Sequence, residues 1–291
     1  MPDKTVVFYL SDEIFATHRP ILVTIEAQST AILKIELASD RSAETWKAHF
    51  DDLGAHRFHS IGMASDREVG LTAGYRAACQ EGFWVCDQFH EFQDLFNRCH
   101  HLERKAYGAI GKEVEAAAKF THAKSEAHLQ KRLEQYDQAY QACEPAIARY
   151  DQLDLLLPLL SDTLHLCSDS GRLRTVEEVR SDLMVILSLI QEIEDEKLPK
   201  LLKPIRSHLD DILAPFRQVE SIHTDLLEFI PQPMLDALVL AGHHDHLSYP
   251  SHGKNKHYHR RESQYWLDFS EGLLGDQFET LKGQVFEKLN S

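Results

Sequence analysis

The apolar run Val6-Val7-Phe8-Tyr9-Leu10 passes directly into Ser11-Asp12-Glu13, and a later run, Ile61-Gly62-Met63-Ala64, passes into Ser65-Asp66. Both runs have strand length, and a carboxylate closes each. A carboxylate is costly to bury unless it is paired or bound to a cation. Two acids at the ends of buried strands therefore point to an α/β chain with metal-ion chemistry at a sheet edge. Asp12 and Asp66 are the candidate catalytic and metal-ligating residues.

The first ninety residues alternate in period. Val6 to Phe15 is extended, Pro20 marks a turn, and Ile21–Ile25 and Ile32–Leu37 supply two more strands, which predicts an antiparallel meander. From Ser42 the apolar spacing becomes helical, with Ser42 placed to cap the open N–H groups. His59–Ala64 reads as a fourth strand, Gly70–Cys79 as a second helix and Phe83–Cys86 as a fifth strand. The order is β-β-β-α-β-α-β.

That order matches the ribonuclease-H-like arrangement, in which the first and fourth strands lie side by side and their acids converge on two divalent cations. Two such ions stabilise the attacking and leaving oxygens of an in-line phosphoryl displacement, and hard oxygen ligands suit Mg2+ or Mn2+. The segments Ser11-Asp12-Glu13-Ile14-Phe15, Arg19-Pro20-Ile21-Leu22-Val23-Thr24-Ile25-Glu26, Asp40-Arg41-Ser42-Ala43-Glu44-Thr45-Trp46 and Ser65-Asp66-Arg67-Glu68-Val69-Gly70-Leu71 resemble bacterial insertion-sequence transposases of the DDE type. Trp84-Val85-Cys86-Asp87-Gln88-Phe89-His90-Glu91-Phe92 is similar to their fifth strand and following helix. The resemblance covers residues 6 to about 105. It implies nicking and strand transfer at DNA ends, with Asp12 and Asp66 as the first two acids and a homodimer joining two ends.

The third acid of that family is a glutamate on a later helix, in a Ser-Ser-x-Val-Glu-like context that does not occur here. Glu262 and Glu271 are the substitutes this chain offers. The sequence stops within a helical pattern at Val285–Ser291, and the first strand starts close to Met1. The expectation from both ends is a truncated fragment, inactive alone, without its glutamate helix and its DNA-reading helix-turn-helix.

Charge is consistent with a weak DNA binder: 31 Lys plus Arg against 46 Asp plus Glu give a net charge of −15. One basic stretch, Lys254 to Arg261, stands out. From Phe89 to Tyr150 apolar residues recur at threes and fours, predicting long amphipathic helices that Gly108 and Gly111 bend or break, with a turn at Thr121–Ser125. Further helices follow at Leu153–Cys167, Val176–Ile193, Leu198–Leu213 and Val219–Phe229, and no segment is apolar enough to span a membrane. The expected organisation is a core over 1–90, a helical insertion over 91–260, and a returning helix over 261–291.

His243, His244, His246, His252, His257 and His259 cluster in a Gly- and Pro-containing stretch. Zinc is one use for such side chains, but no Cys lies nearby, which favours a flexible polar loop. Asp87 reads as the cap of the long helix, with His90 one turn later facing the acids; Cys86-Asp87-Gln88-Phe89-His90 as a ligand group is the alternative. Five unevenly spaced cysteines and the lack of a leader give the expectation of reduced thiols in a cytoplasmic protein. Two other functions stay open: another nuclease of the same fold, and a non-catalytic helical interaction protein in which Asp12 is a turn residue and Asp66 a helix cap.

Overall fold

The computed structural model describes residues 5–120, 122 and 125–274. The helical pattern at Val285–Ser291 lies outside them, as does most of the turn expected at Thr121–Ser125.

β-Branched and aromatic residues build a mixed five-stranded sheet in the order β3-β2-β1-β4-β5. β1 (Thr5–Ala16) pairs antiparallel with β2 (Arg19–Glu26), and β2 pairs antiparallel with β3 (Ile32–Leu37). β4 (Phe58–Ser65) joins the other side of β1 in parallel, and β5 (Phe83–Cys86) joins β4 in parallel. The strand order along the chain is the one the sequence predicts. The turn is not at Pro20. Pro20 sits inside β2 opposite Phe15, and the bend falls on Thr17 and His18, both with positive φ (50° and 68°). Two consecutive left-handed residues twist a hairpin in the sense of its strands, and a proline in a strand needs only an absent N–H.

Alternation sends Val7, Tyr9 and Ser11 of β1 to one face and Phe8, Leu10 and Asp12 to the other. The first face is covered by α1 (Ala43–Ala55) and α2 (Val69–Ala78). Ser42 caps α1 as expected, its side chain accepting from the Thr45 N–H. Trp46, His49, Phe50 and Leu53, at the spacing of one helix face, are buried with Tyr9, Leu22, Met63, Leu71 and Tyr75. The two helices touch closely at Gly74, where a Cβ would stand 2.5 Å from Trp46 Cβ.

A polar chain runs through this core. Ser11 Oγ lies 3.0 Å from Thr24 Oγ1, Thr24 Oγ1 lies 3.0 Å from His49 Nε2, and His49 Nδ1 lies 3.1 Å from Glu36 Oε2. Glu36 as acceptor fixes a proton on Nδ1, leaving Nε2 to accept from Thr24. Burial pushes the His49 pKa below its ordinary value against the pull of Glu36, so the ring is neutral.

Beyond the sheet the chain is helical. α3 (Gln88–Phe120) continues through Gly108 and Gly111 without a break, and α4 (Glu126–Thr163) runs through Pro158, where the sequence suggests a separate helix from Leu153. Two glycines cost a helix about 2 kcal/mol and an interior proline about 3. Leu153, Leu156, Leu157 and Leu160 are buried around that proline, and burial of several leucines outweighs such a cost. α5 (Val176–Glu192) opens on a full capping box between Thr175 and Glu178. α6 (Leu198–Ser207), α7 (Leu209–Ile212), α8 (Ala214–Leu226), α9 (Gln232–Ser248) and α10 (Gly253–Leu274) follow.

Contacts divide the chain into two compact units. One holds residues 1–151 and 194–214, hence the sheet, α1 to α3, α6 and α7; the other holds 152–193 and 215–291. In the second unit α9 and α10 pack along each other, and Ile230, Met234 and Leu235 form a small core. No helix among the described residues is long and apolar enough to cross a membrane.

Candidate active site

Asp12 does not close its strand. β1 continues to Ala16 along β2, with Asp12 opposite Val23, because the hairpin extends further than the parallel pairing. The β1–β4 ladder, however, ends at Leu10 opposite Ala64, so Asp12 stands two residues beyond the last pair and Asp66 two residues beyond it on the neighbouring strand. Ser65 is opposite Cys86, and the Asp87 N–H donates to the Ser65 carbonyl at 2.7 Å, so Asp87 follows at the same edge of β5. Three adjacent parallel strands thus deliver Asp12, Asp66 and Asp87 at one level.

A backbone N–H one or two residues on holds each carboxylate. The Glu13 N–H donates to Asp12 Oδ1 at 2.8 Å, and the Glu68 N–H donates to Asp66 Oδ1 at 3.0 Å. Glu68 in turn accepts from the Leu71 N–H and caps α2. Asp87 Oδ1 accepts from the Phe89 N–H at 2.8 Å, the cap expected at the start of α3.

Loss of water raises the Asp12 pKa, and the charges of Asp66 and Asp87 raise it further, against the Glu13 N–H and His90. Glu13 behaves in the same way: burial raises it, Arg41 at 2.7 Å lowers it, and Glu68 and Asp66 raise it. Glu13 Oε2 is buried with no hydrogen-bond partner. His90 Nδ1 lies 2.9 Å from Asp87 Oδ2. Burial disfavours its cation, but Asp87, Asp12 and Asp66 together raise its pKa. The edge is thus an acidic field with more negative charge than Arg41 and His90 offset.

The chain matches no known family model and no curated protein.

Among the described residues no three His, Cys, Asp or Glu side chains converge closely enough to hold a metal by themselves. A cation nonetheless suits the donors present: hard carboxylate oxygens on Asp12 and Asp66 at one register, with the charge of Asp66 helping to raise the Asp12 pKa. Mg2+ in particular takes one or two carboxylates and fills the rest of its shell with water and substrate phosphate.

A charged network missed from the sequence stands behind this edge. Arg67, next to Asp66, pairs with Glu91 on the first turn of α3 and with Asp211 of α7, and His208 Nδ1 lies 3.0 Å from Glu91 Oε2. Arg67 and Arg76 also approach the Trp84 ring, at 6.0 and 5.9 Å. Arg67 and Asp211 are 144 residues apart, and no local spacing signals such a pair.

Glu262 and Glu271 lie on α10, in the second unit. The histidine stretch is not a loop. His243, His244 and His246 are on α9, and His257 and His259 are on α10. His244 Nδ1 and His259 Nδ1 are 3.2 Å apart across that helix pair. The short break around Pro250 carries the Gly and Pro signals, while the rest of the stretch is held by packing of the two helices.

Proposed function

We propose that the sheet-bearing unit is a ribonuclease-H-like catalytic core of the DDE transposase type, which binds Mg2+ or Mn2+ through Asp12 and Asp66 and acts on DNA ends. The observation that carries this reading is the shared register of the two acids on adjacent parallel strands. A bound divalent cation supplies charge stabilisation to phosphate oxygens and activates water or a 3′-hydroxyl.

The chain's own residues bind and orient. Asp12 and Asp66 each keep one carboxylate oxygen on a neighbouring N–H, which fixes the direction of the other. Arg67, tied to Glu91 and Asp211, pins the turn that carries Asp66. Asp87 holds His90 beside the acids, where its imidazole can hold or release a proton. By analogy with the family, two copies joined as a homodimer hold two DNA ends.

The test is incubation of the chain with Mn2+, supercoiled plasmid and a labelled duplex with a free 3′-hydroxyl. Nicking together with end joining, both lost in Asp12→Asn and Asp66→Asn, supports the transposase reading. Nicking without joining shifts it to a nuclease of the same fold. A non-catalytic helical interaction protein is the other reading: each acid accepts an N–H one or two residues on, although Asp12 lies inside β1 opposite Val23 and Glu68, not Asp66, caps α2. That reading gains if either Asn variant binds Mn2+ as the wild type does.

A further inference from the structure

A chain with a net charge of −15 needs a local positive surface to hold a phosphate polymer. One cleft in the sheet-bearing unit has this character. It has a volume of about 340 Å³ and lies between α3, α4 and the segment before α6. Arg98, Leu102 and Lys105 line it from one face of α3, Arg149 from α4 and Lys197 from the α6 entry.

Three acids share its lining, Glu194, Asp195 and Glu196, against the four cations Arg98, Lys105, Arg149 and Lys197. Asp195 takes a two-pronged bond from Arg98, with Arg98 Nε at 3.1 Å, and also accepts from the Lys197 N–H at 3.0 Å. Glu194 is exposed and only 3.8 Å from Arg149 Nη2, too long for a hydrogen bond. Arg149 Nε is buried and has no hydrogen-bond partner, a donor left without an acceptor. Arg98, Lys105, Lys197 and Arg104 lie around His101, one turn from Arg98, and after loss of water they lower its pKa.

We infer that this cleft is a phosphate site in which Arg149, Lys105 and Lys197 receive a backbone phosphate of a nucleic acid. The anion chemistry follows from the cleft itself, and the polymer rests on the function proposed above. Arg149 supplies a planar guanidinium on a partly exposed side chain, and the two lysines supply point charges.

The experiment uses the full chain in EDTA, so that the acidic edge has no cation and the cleft is read alone. Anisotropy of a labelled DNA duplex is followed against salt for the wild type, Arg149→Gln, Lys105→Gln and, as a cation outside the cleft, Lys47→Gln, with inorganic pyrophosphate as competitor. The expected result is about a tenfold loss of affinity in each cleft variant, a salt slope shallower by about one, and no change in Lys47→Gln. Calorimetry with pyrophosphate reads the site without DNA. Pyrophosphate binding that needs Arg149, with no duplex binding, keeps the anion site and overturns the nucleic-acid source. Cleft variants that bind duplex and pyrophosphate as the wild type does overturn the inference. Lys105→Gln, a helix-surface change, keeps the test valid if Arg149→Gln does not fold. Loss of Mn2+ binding at Asp12 and Asp66 is a separate readout, so failure of the function above shows itself independently.

Discussion

Asp12 and Asp66 occupy equivalent positions on neighbouring parallel strands, each two residues past the pair Leu10 and Ala64. Loss of water is the largest effect against the Asp12 anion, and the charge of Asp66 adds to it. A carboxyl whose pKa is raised on folding is protonated more in the folded than in the unfolded chain, so its charge costs stability above that raised value and nothing below the ordinary 3.8. Asp12→Asn should therefore raise the melting temperature at pH 7, with the gain shrinking to zero as pH falls towards 3.8. Melting followed by circular dichroism across pH checks this; a gain that persists at low pH contradicts it.

His49 carries the opposite linkage. Its folded pKa is depressed by burial, so the unfolded chain binds the proton first. Stability is fully present above the unfolded value of 6.5 and falls as pH drops through it, until the folded value is passed. His49→Gln removes this dependence and keeps partial hydrogen bonding to Thr24 and Glu36. Urea unfolding at pH 7.5 and 5.5 should show a smaller difference for the variant than for the wild type.

Gly74 is where α1 and α2 touch. A Cβ there meets Trp46 Cβ at 2.5 Å, the Ala43 carbonyl at 2.8 Å and the Lys47 nitrogen at 2.9 Å, two of them backbone. Gly74→Ala should destabilise the fold by about 1–3 kcal/mol, the usual cost of overpacking, despite the better helix propensity of alanine. A neutral or stabilising result by urea titration contradicts the close packing.

Arg67 and Glu91 are partly buried and couple the Asp66 turn to α3. A double-mutant cycle with Arg67→Gln and Glu91→Gln should give a coupling of about 1–2 kcal/mol, below a fully buried pair because Arg67 keeps some solvent contact. Additive losses would show the pair to be incidental.

Period and capping made the sheet legible in the sequence. The alternation of Val7, Tyr9 and Ser11 against Phe8, Leu10 and Asp12, and the Ser42 cap, are local signals that burial then confirms. What stayed hidden is non-local. The level of Asp87 depends on the β4–β5 register. Gly108 and Gly111 read as breaks because propensity opposes them, while packing over long helices prevails. The histidine stretch misled through composition, since its helices are held by each other rather than by their own sequence. Arg67, Glu91, His208 and Asp211 meet only in the fold.

The most direct measurement is Mn2+ binding by calorimetry on the wild type, Asp12→Asn and Asp66→Asn. Binding in the wild type that is lost in both variants is the predicted result, because two carboxylates at one register form the cation site. No binding in any of the three, or binding unchanged in the variants, would contradict it and leave Asp12 and Asp66 as structural residues.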